Sequence, residues 1–134
     1  MKVIIAGSRY GVYQHFFEDK LKELFLNEDS PYTITQVVSG CAQGVDTMAI
    51  NWATQNNIPI VKFHANWEQL GRSAGPMRNA EMAKYGDILI AFFNENAKNE
   101  GTKNMCKQMA DKGKKVIRFH EKLCRVRVSL PSLI

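Results

Sequence analysis

The 134-residue sequence predicts an α/β fold, with an open, mostly parallel sheet of about five strands and helices on both faces. Short β-branched runs alternate with amphipathic stretches from one end to the other. The connections are brief, and no linker, repeat or low-complexity segment divides the chain. A chain of this length supports one core. A composition of 45% hydrophobic and 23% charged residues excludes disordered and fibrous classes. The run Ile88–Phe93 is far short of the roughly 20 apolar residues that span a bilayer. Met1–Gly7 reaches a glycine too soon for a secretion signal. The expectation is a soluble, cytoplasmic protein with no membrane partner.

Lys2–Ala6 is apolar up to Gly7 and reads as the first strand. Tyr13–Asn27 carries Phe17, Leu21, Leu24 and Phe25 at helical spacing. A turn from Asn27 to Pro31 leads to a second strand, Ile34–Ser39. Val45–Gln55 is a second helix with Val45, Met48, Ala49 and Trp52 inward, stopped by Asn56-Asn57 before the strand Ile58–Phe63. Ala65–Gly75 reads as irregular, Met77–Tyr85 as a short helix and Asp87–Phe93 as a buried strand. The polar loop Asn94–Glu100 precedes a helix over Thr102–Lys112, which Gly113 stops. Val116–Phe119 is the last core strand, and Arg125–Val128 a possible edge strand. The division is a domain over 1–120 and an extension over 121–134, whose apolar tail is expected to pack on the body or on a partner.

A net charge of +5 invites a nucleic-acid reading. Its placement argues against one. Residues 98–127 hold ten Lys/Arg against three acids, and the rest of the chain holds eight against ten. Lys107, Lys112, Lys114 and Lys115 fit a solvated face, with no interleaved aromatic groove for single strands. Cys41, Cys106 and Cys124 form no CxxC pair, and His15, His64 and His120 stand apart, so no metal site is expected.

In parallel sheets ligands bind beyond the carboxyl ends of the strands. Each candidate motif falls there. Gly7-Ser8-Arg9 follows the first strand, and Ser39-Gly40-Cys41-Ala42-Gln43-Gly44-Val45-Asp46 the second. Gly71-Arg72-Ser73-Ala74-Gly75-Pro76-Met77-Arg78-Asn79 precedes the fourth, and Gly101-Thr102-Lys103 follows it. Glycine lets a backbone approach an anion closely, and the free N–H groups of a following helix supply donors. Trp52 reads as core, whereas Trp67 is open between core and stacking platform. Cys41 reads as a small filler, with no histidine near it in sequence. Arg78-Asn79 suits either a ligand clamp or a helix brace.

These residues carry a resemblance. Ser39-Gly40-Cys41-Ala42-Gln43-Gly44-Val45-Asp46-Thr47-Met48-Ala49 is similar to the SGxAxGxDxxA stretch of SMF/DprA-type proteins. The stretch Gly71–Met82 resembles the GxxAGPxRNxxM signature of small bacterial and phage proteins of the SLOG superfamily, the YspA- and YpsA-related branch. Gly101-Thr102 is similar to its final GT motif. The resemblance implies a Rossmann-like domain and a nucleotide or nucleotide-derived ligand across the strand ends. For a phage-encoded member it implies the bacterial host cytoplasm. Relatives commonly self-associate, which implies a homodimer or higher homo-oligomer. LOG-type phosphoribohydrolases in the superfamily pair an arginine with a glutamate just after the GT loop. Arg78 matches the arginine, but Lys103 and Asn104 stand where the acid belongs.

The leading expectation is therefore a module that binds without hydrolysis. Gly7, Ser8, Arg9, Ser39, Gly40, Cys41, Gly44, Asp46, Gly75, Gly101, Thr102 and Lys103 line the ligand site, and Arg72, Arg78 and Asn79 clamp the ligand. A nucleoside-monophosphate N-glycosidase is the alternative, with Arg78 on the substrate and Glu81, Glu100 or Asp46 as the acid. DprA-like nucleic-acid binding comes third.

Overall fold

In a computed structural model, which describes residues 1–121, the sheet has five strands, all parallel, in the order β3-β2-β1-β4-β5. These are β1 (Lys2–Gly7), β2 (Gln36–Ser39), β3 (Ile60–Lys62), β4 (Ile88–Asn94) and β5 (Lys115–Glu121). The helices are α1 (Gln14–Phe25), α2 (Val45–Gln55), α3 (Trp67–Leu70), α4 (Ala74–Tyr85) and α5 (Glu100–Asp111), with a 3-10 turn at Gly71–Ser73. The predicted strand at Arg125–Val128 and the apolar tail lie outside the described residues. No helix among the described residues is long and apolar enough to cross a membrane.

Central strands of a parallel sheet are covered on both faces and so read as continuous apolar runs. β1 and β4 pair from Val3↔Ile88 to Gly7↔Phe92, and every residue of β4 is buried. Alternation then divides the core. Val3, Ile5, Ile88, Ile90 and Phe92 meet Phe17, Leu21 and Phe25 of α1 and Val45, Ala49 and Trp52 of α2. Ile4, Ala6, Leu89, Ala91 and Phe93 meet Met82 and Ala83 of α4 and Met105, Cys106 and Met109 of α5. Trp52 is core, as its spacing predicted.

Two expectations need correction. Ala65–Gly75 is not irregular throughout, because Asn66 caps α3 by accepting from the Gln69 amide and the 3-10 turn runs directly into α4. The helix predicted from Met77 thus begins at Ala74 and carries Pro76 in its first turn, where a missing N–H costs nothing. Lys114 is also no solvated group. Its ammonium donates to the carbonyls of Ala83 (2.6 Å), Gly86 (2.7 Å) and Lys84 (3.1 Å), at the negative end of α4. Lys107 pairs with Asp111, and Lys115 donates to the Tyr32 hydroxyl.

Candidate functional site

The strand order reverses direction between β1 and β4, so the connections leaving their carboxyl ends diverge. The crevice they leave is a cavity of about 330 Å³. Gly7, Ser8 and Arg9 enter it from β1, Asp46 from α2, Arg78 and Asn79 from α4, and Glu100, Gly101 and Thr102 from α5. Tyr10, Ala97 and Asn99 complete the rim.

The loop after β1 is held by groups far away in sequence. The Ser8 amide donates to the Phe92 carbonyl (3.0 Å), and the Val45 amide to the Ser8 carbonyl (3.2 Å). Asn94 Nδ2 donates to the Tyr10 carbonyl (3.1 Å), and the Tyr13 amide to Glu121 Oε1 (2.8 Å). Asn94 and Glu121, both buried, are positioning residues that sequence reasoning missed. A buried polar residue at a strand end was the available signal.

In the turn into α2, two amides are occupied from within: Cys41 N–H donates to Ser39 Oγ (3.1 Å), and Ala42 N–H to Asp46 Oδ2 (3.1 Å). Ser39 Oγ itself donates to the Asp46 carbonyl (3.0 Å). Gly44 has φ +84°, and a Cβ there would stand 2.6 Å from the Arg9 and Ser8 backbones. The glycine therefore admits the β1 loop. At Gly40 a Cβ would lie 3.0 Å from both Arg78 Nε and Asp46 Oδ2.

Arg78 and Asn79 lock three segments together. Arg78 Nη1 donates to the Gly40 carbonyl (2.7 Å) and Nε to Asn79 Oδ1 (3.3 Å). Asn79 Nδ2 donates to the Gly101 carbonyl (3.2 Å) and to Asn104 Oδ1 (3.0 Å). The Asn79 amide is thus fully spent, and Asn79 is the brace. Arg78 keeps part of its five-donor fork for the cavity it lines.

Asp46 is buried against this cluster. Burial is the chief cause that raises its carboxyl from 3.8 to about 6, opposed by the Ala42 N–H and by the Arg78 and Arg9 charges. Cys41 adopts φ +64°. Burial pushes its thiol above the ordinary value, against the lowering charge of Lys62, so the thiol stays protonated near neutrality. The fold also brings His64 Nε2 to 3.9 Å from Cys41 Sγ. The register explains that proximity: Ser39 pairs with Lys62, and both residues lie two positions beyond that pair.

At the start of α5, Asn99 sits in the left-handed region (φ 54°) and does not cap the helix with its side chain. Its Nδ2 donates backward to the carbonyls of Asn94 (2.8 Å) and Ala97 (2.9 Å). Among the described residues its buried Oδ1 has no partner. The first turn of α5 thus lies at the crevice without a side-chain cap on its amides, with the acidic Glu100 beside them, while Asn99 Oδ1 is enclosed by the loop.

Some predicted residues lie elsewhere. Arg72 is exposed on the 3-10 turn and lines neither this crevice nor the lobe beside it, and Lys103 and Glu81 are exposed outside both linings. Gly75 is buried beneath the Trp67 ring. Gly40 and Cys41 line a second lobe, of about 310 Å³, together with Gln43, His64 and Trp67. Among the described residues no group of three His, Cys, Asp or Glu side chains is placed to hold a metal.

The profile of the YspA, cpYpsA-related SLOG family (YAcAr) matches residues 1–70, from β1 through α3. The chain belongs to this family. The Gene 61 protein of Mycobacterium phage D29 is 32% identical over 127 residues, covering 90% of this chain and 98% of the phage protein. No solved structure is significantly similar. In this SLOG-family chain the two residues after Gly101-Thr102 stand apart from the cavity lining, with Asn104 accepting from Asn79 and Lys103 exposed. The carboxyls that do reach the cavity are Asp46 and Glu100.

Proposed function

We propose that this protein binds a nucleotide or nucleotide-derived anion in the crevice between β1 and β4 and does not hydrolyse it. The observation that carries the reading is Gly101. Every other glycine of the nine either has a neighbour within 4 Å of a built Cβ or adopts positive φ, whereas Gly101 has neither constraint. Glycine in the first turn of a helix costs stability relative to alanine. Its use here is explained if an anion sits on the bare amides. Arg9 and the free part of the Arg78 fork supply the counter-charge.

The test pairs two variants in calorimetric titrations with the four common nucleoside 5′-monophosphates. Arg78→Ala is expected to weaken binding at least tenfold, from the loss of charge-assisted hydrogen bonds. Gly101→Ala is expected to raise the unfolding free energy by about 0.5–1 kcal/mol and yet weaken binding. A Gly101→Ala protein that binds as well as the parent sinks the proposal.

One observation favours a second reading. A buried carboxyl raised to about 6 lines the same cavity as Arg78, which suits an N-glycosidase with Asp46 as the acid. Free base released from a nucleoside monophosphate, and abolished by Asp46→Asn, would establish that activity.

A further inference from the structure

The crevice has a second lobe that a mononucleotide does not need. It shares Arg9, Ala42 and Arg78 with the first. Each lobe, at about 330 and 310 Å³, stands near the lower limit of about 300 Å³ for a small-molecule site. Each also carries an exposed aromatic side chain, Tyr10 (66% exposed) in the first and Trp67 (50% exposed) in the second. Tyr13 is as exposed (51%) but lines neither lobe, whereas Tyr10 and Trp67 stand where a π-faced ligand could stack on them.

The local structure holds Trp67 for that purpose. It begins the short α3, capped by Asn66, and its ring edge rests on Gly75, where a Cβ would lie 3.2 Å from Cη2. Gly75 thus acts as the seat of the tryptophan. Gln43 and His64 supply hydrogen-bonding groups in the same lobe. The two lobes share the arginine pair, and each has one exposed aromatic in its lining.

We infer that the ligand is of the dinucleotide class: two nucleosides joined by a pyrophosphate or phosphodiester, the bridge on Arg9 and Arg78, one base against Tyr10 and the other stacked on Trp67. The inference rests on the anion-binding reading of the first lobe and assigns Trp67 as the residue that selects a two-base ligand over a mononucleotide. Trp67 also provides the signal, because Trp52, the other tryptophan, is buried in the core and removed from the crevice.

The experiment titrates the full chain with the 5′-monophosphates of adenosine, guanosine, cytidine and uridine. It then uses the corresponding symmetric dinucleoside pyrophosphates and cyclic dinucleotides, reading calorimetry and tryptophan fluorescence. At least one two-base ligand is expected to bind about tenfold more tightly than its mononucleotide, with quenching. Trp67→Ala should erase that advantage, and Trp67→Phe should retain most of it, with both variants unfolding thermally like the parent. Equal affinity for one-base and two-base ligands overturns the inference and leaves the first lobe's function standing. An advantage that survives in Trp67→Ala overturns it as well. Failure of every compound to bind overturns both readings.

Discussion

Gly44→Ala is expected to lower the unfolding free energy by about 4 kcal/mol. Two costs combine. The residue holds φ +84° and ψ −126°, a region open essentially to glycine, which costs about 1–3 kcal/mol for a side chain. The new methyl would also stand 2.6 Å from the Arg9 Cα and from the Ser8 and Arg9 carbonyl oxygens. These are backbone atoms, held by the Val45–Ser8 hydrogen bond, and cannot swing aside as a flexible side chain would. For a domain of this size the loss corresponds to about 15 °C in Tm, readable by calorimetry. Gly113→Ala is the control: it shares a positive φ (+67°) but has open space around it, so it should cost only about 1 kcal/mol. If the two variants are equally stable, the crossing of the β1 loop over α2 is not what requires the glycine.

Asp46→Asn is expected to stabilise the protein at pH 7.5 by about 3 kcal/mol and to flatten its pH dependence. The carboxyl titrates near 6 in the folded chain and near 3.8 when unfolded, so the folded state binds its proton more tightly. Stability from this group is therefore greatest below about pH 4 and falls as pH rises through 6. Asparagine keeps an oxygen for the Ala42 amide without the buried charge. Urea unfolding of parent and variant at several pH values between 4 and 8 measures the difference. An unchanged slope between pH 4 and 6 rules out Asp46 as its source. The same ionisation acts on the crevice. A bound anion beside Arg9 and Arg78 meets a negative Asp46 above pH 6 and a neutral one below, so affinity should rise on acidification in the parent alone.

Much of the architecture was legible because its signals are local. Val45–Gln55 came out with the predicted bounds, since its apolar spacing and the Asn56-Asn57 stop lie within one segment. The strands were legible from apolar runs of the right length, and their carboxyl ends marked where glycines and arginines gather. The stretch before Met77 was harder. Gly71, Gly75 and Pro76 are loop residues by propensity, yet a helix starts at Ala74 because its buried Ala74, Gly75 and Asn79 pack inward.

The site was legible in outline only. Gly7, Ser8, Arg9, Asp46, Arg78, Asn79, Gly101 and Thr102 line one cavity, Gly40 and Cys41 line the second lobe, and Ser39, Gly44, Arg72, Gly75 and Lys103 line neither. His64 was missed because its neighbour Cys41 is set by strand pairing across 23 residues of chain. Trp67, open between core and platform in the sequence, is half-exposed in the fold with its ring edge on Gly75.

By itself, then, the sequence determined the layers, the strand and helix order and the end of the sheet at which chemistry gathers. Hydrophobic periodicity and turn residues act within a few positions of each other, so one segment carries its own instructions. Only the tertiary structure decided which arginine faces the cavity, which helix amides are already occupied and which glycine stands bare without a packing reason. Those depend on how far each helix rotates and on which distant carbonyl reaches a given N–H, and neither is a property of any single stretch of chain.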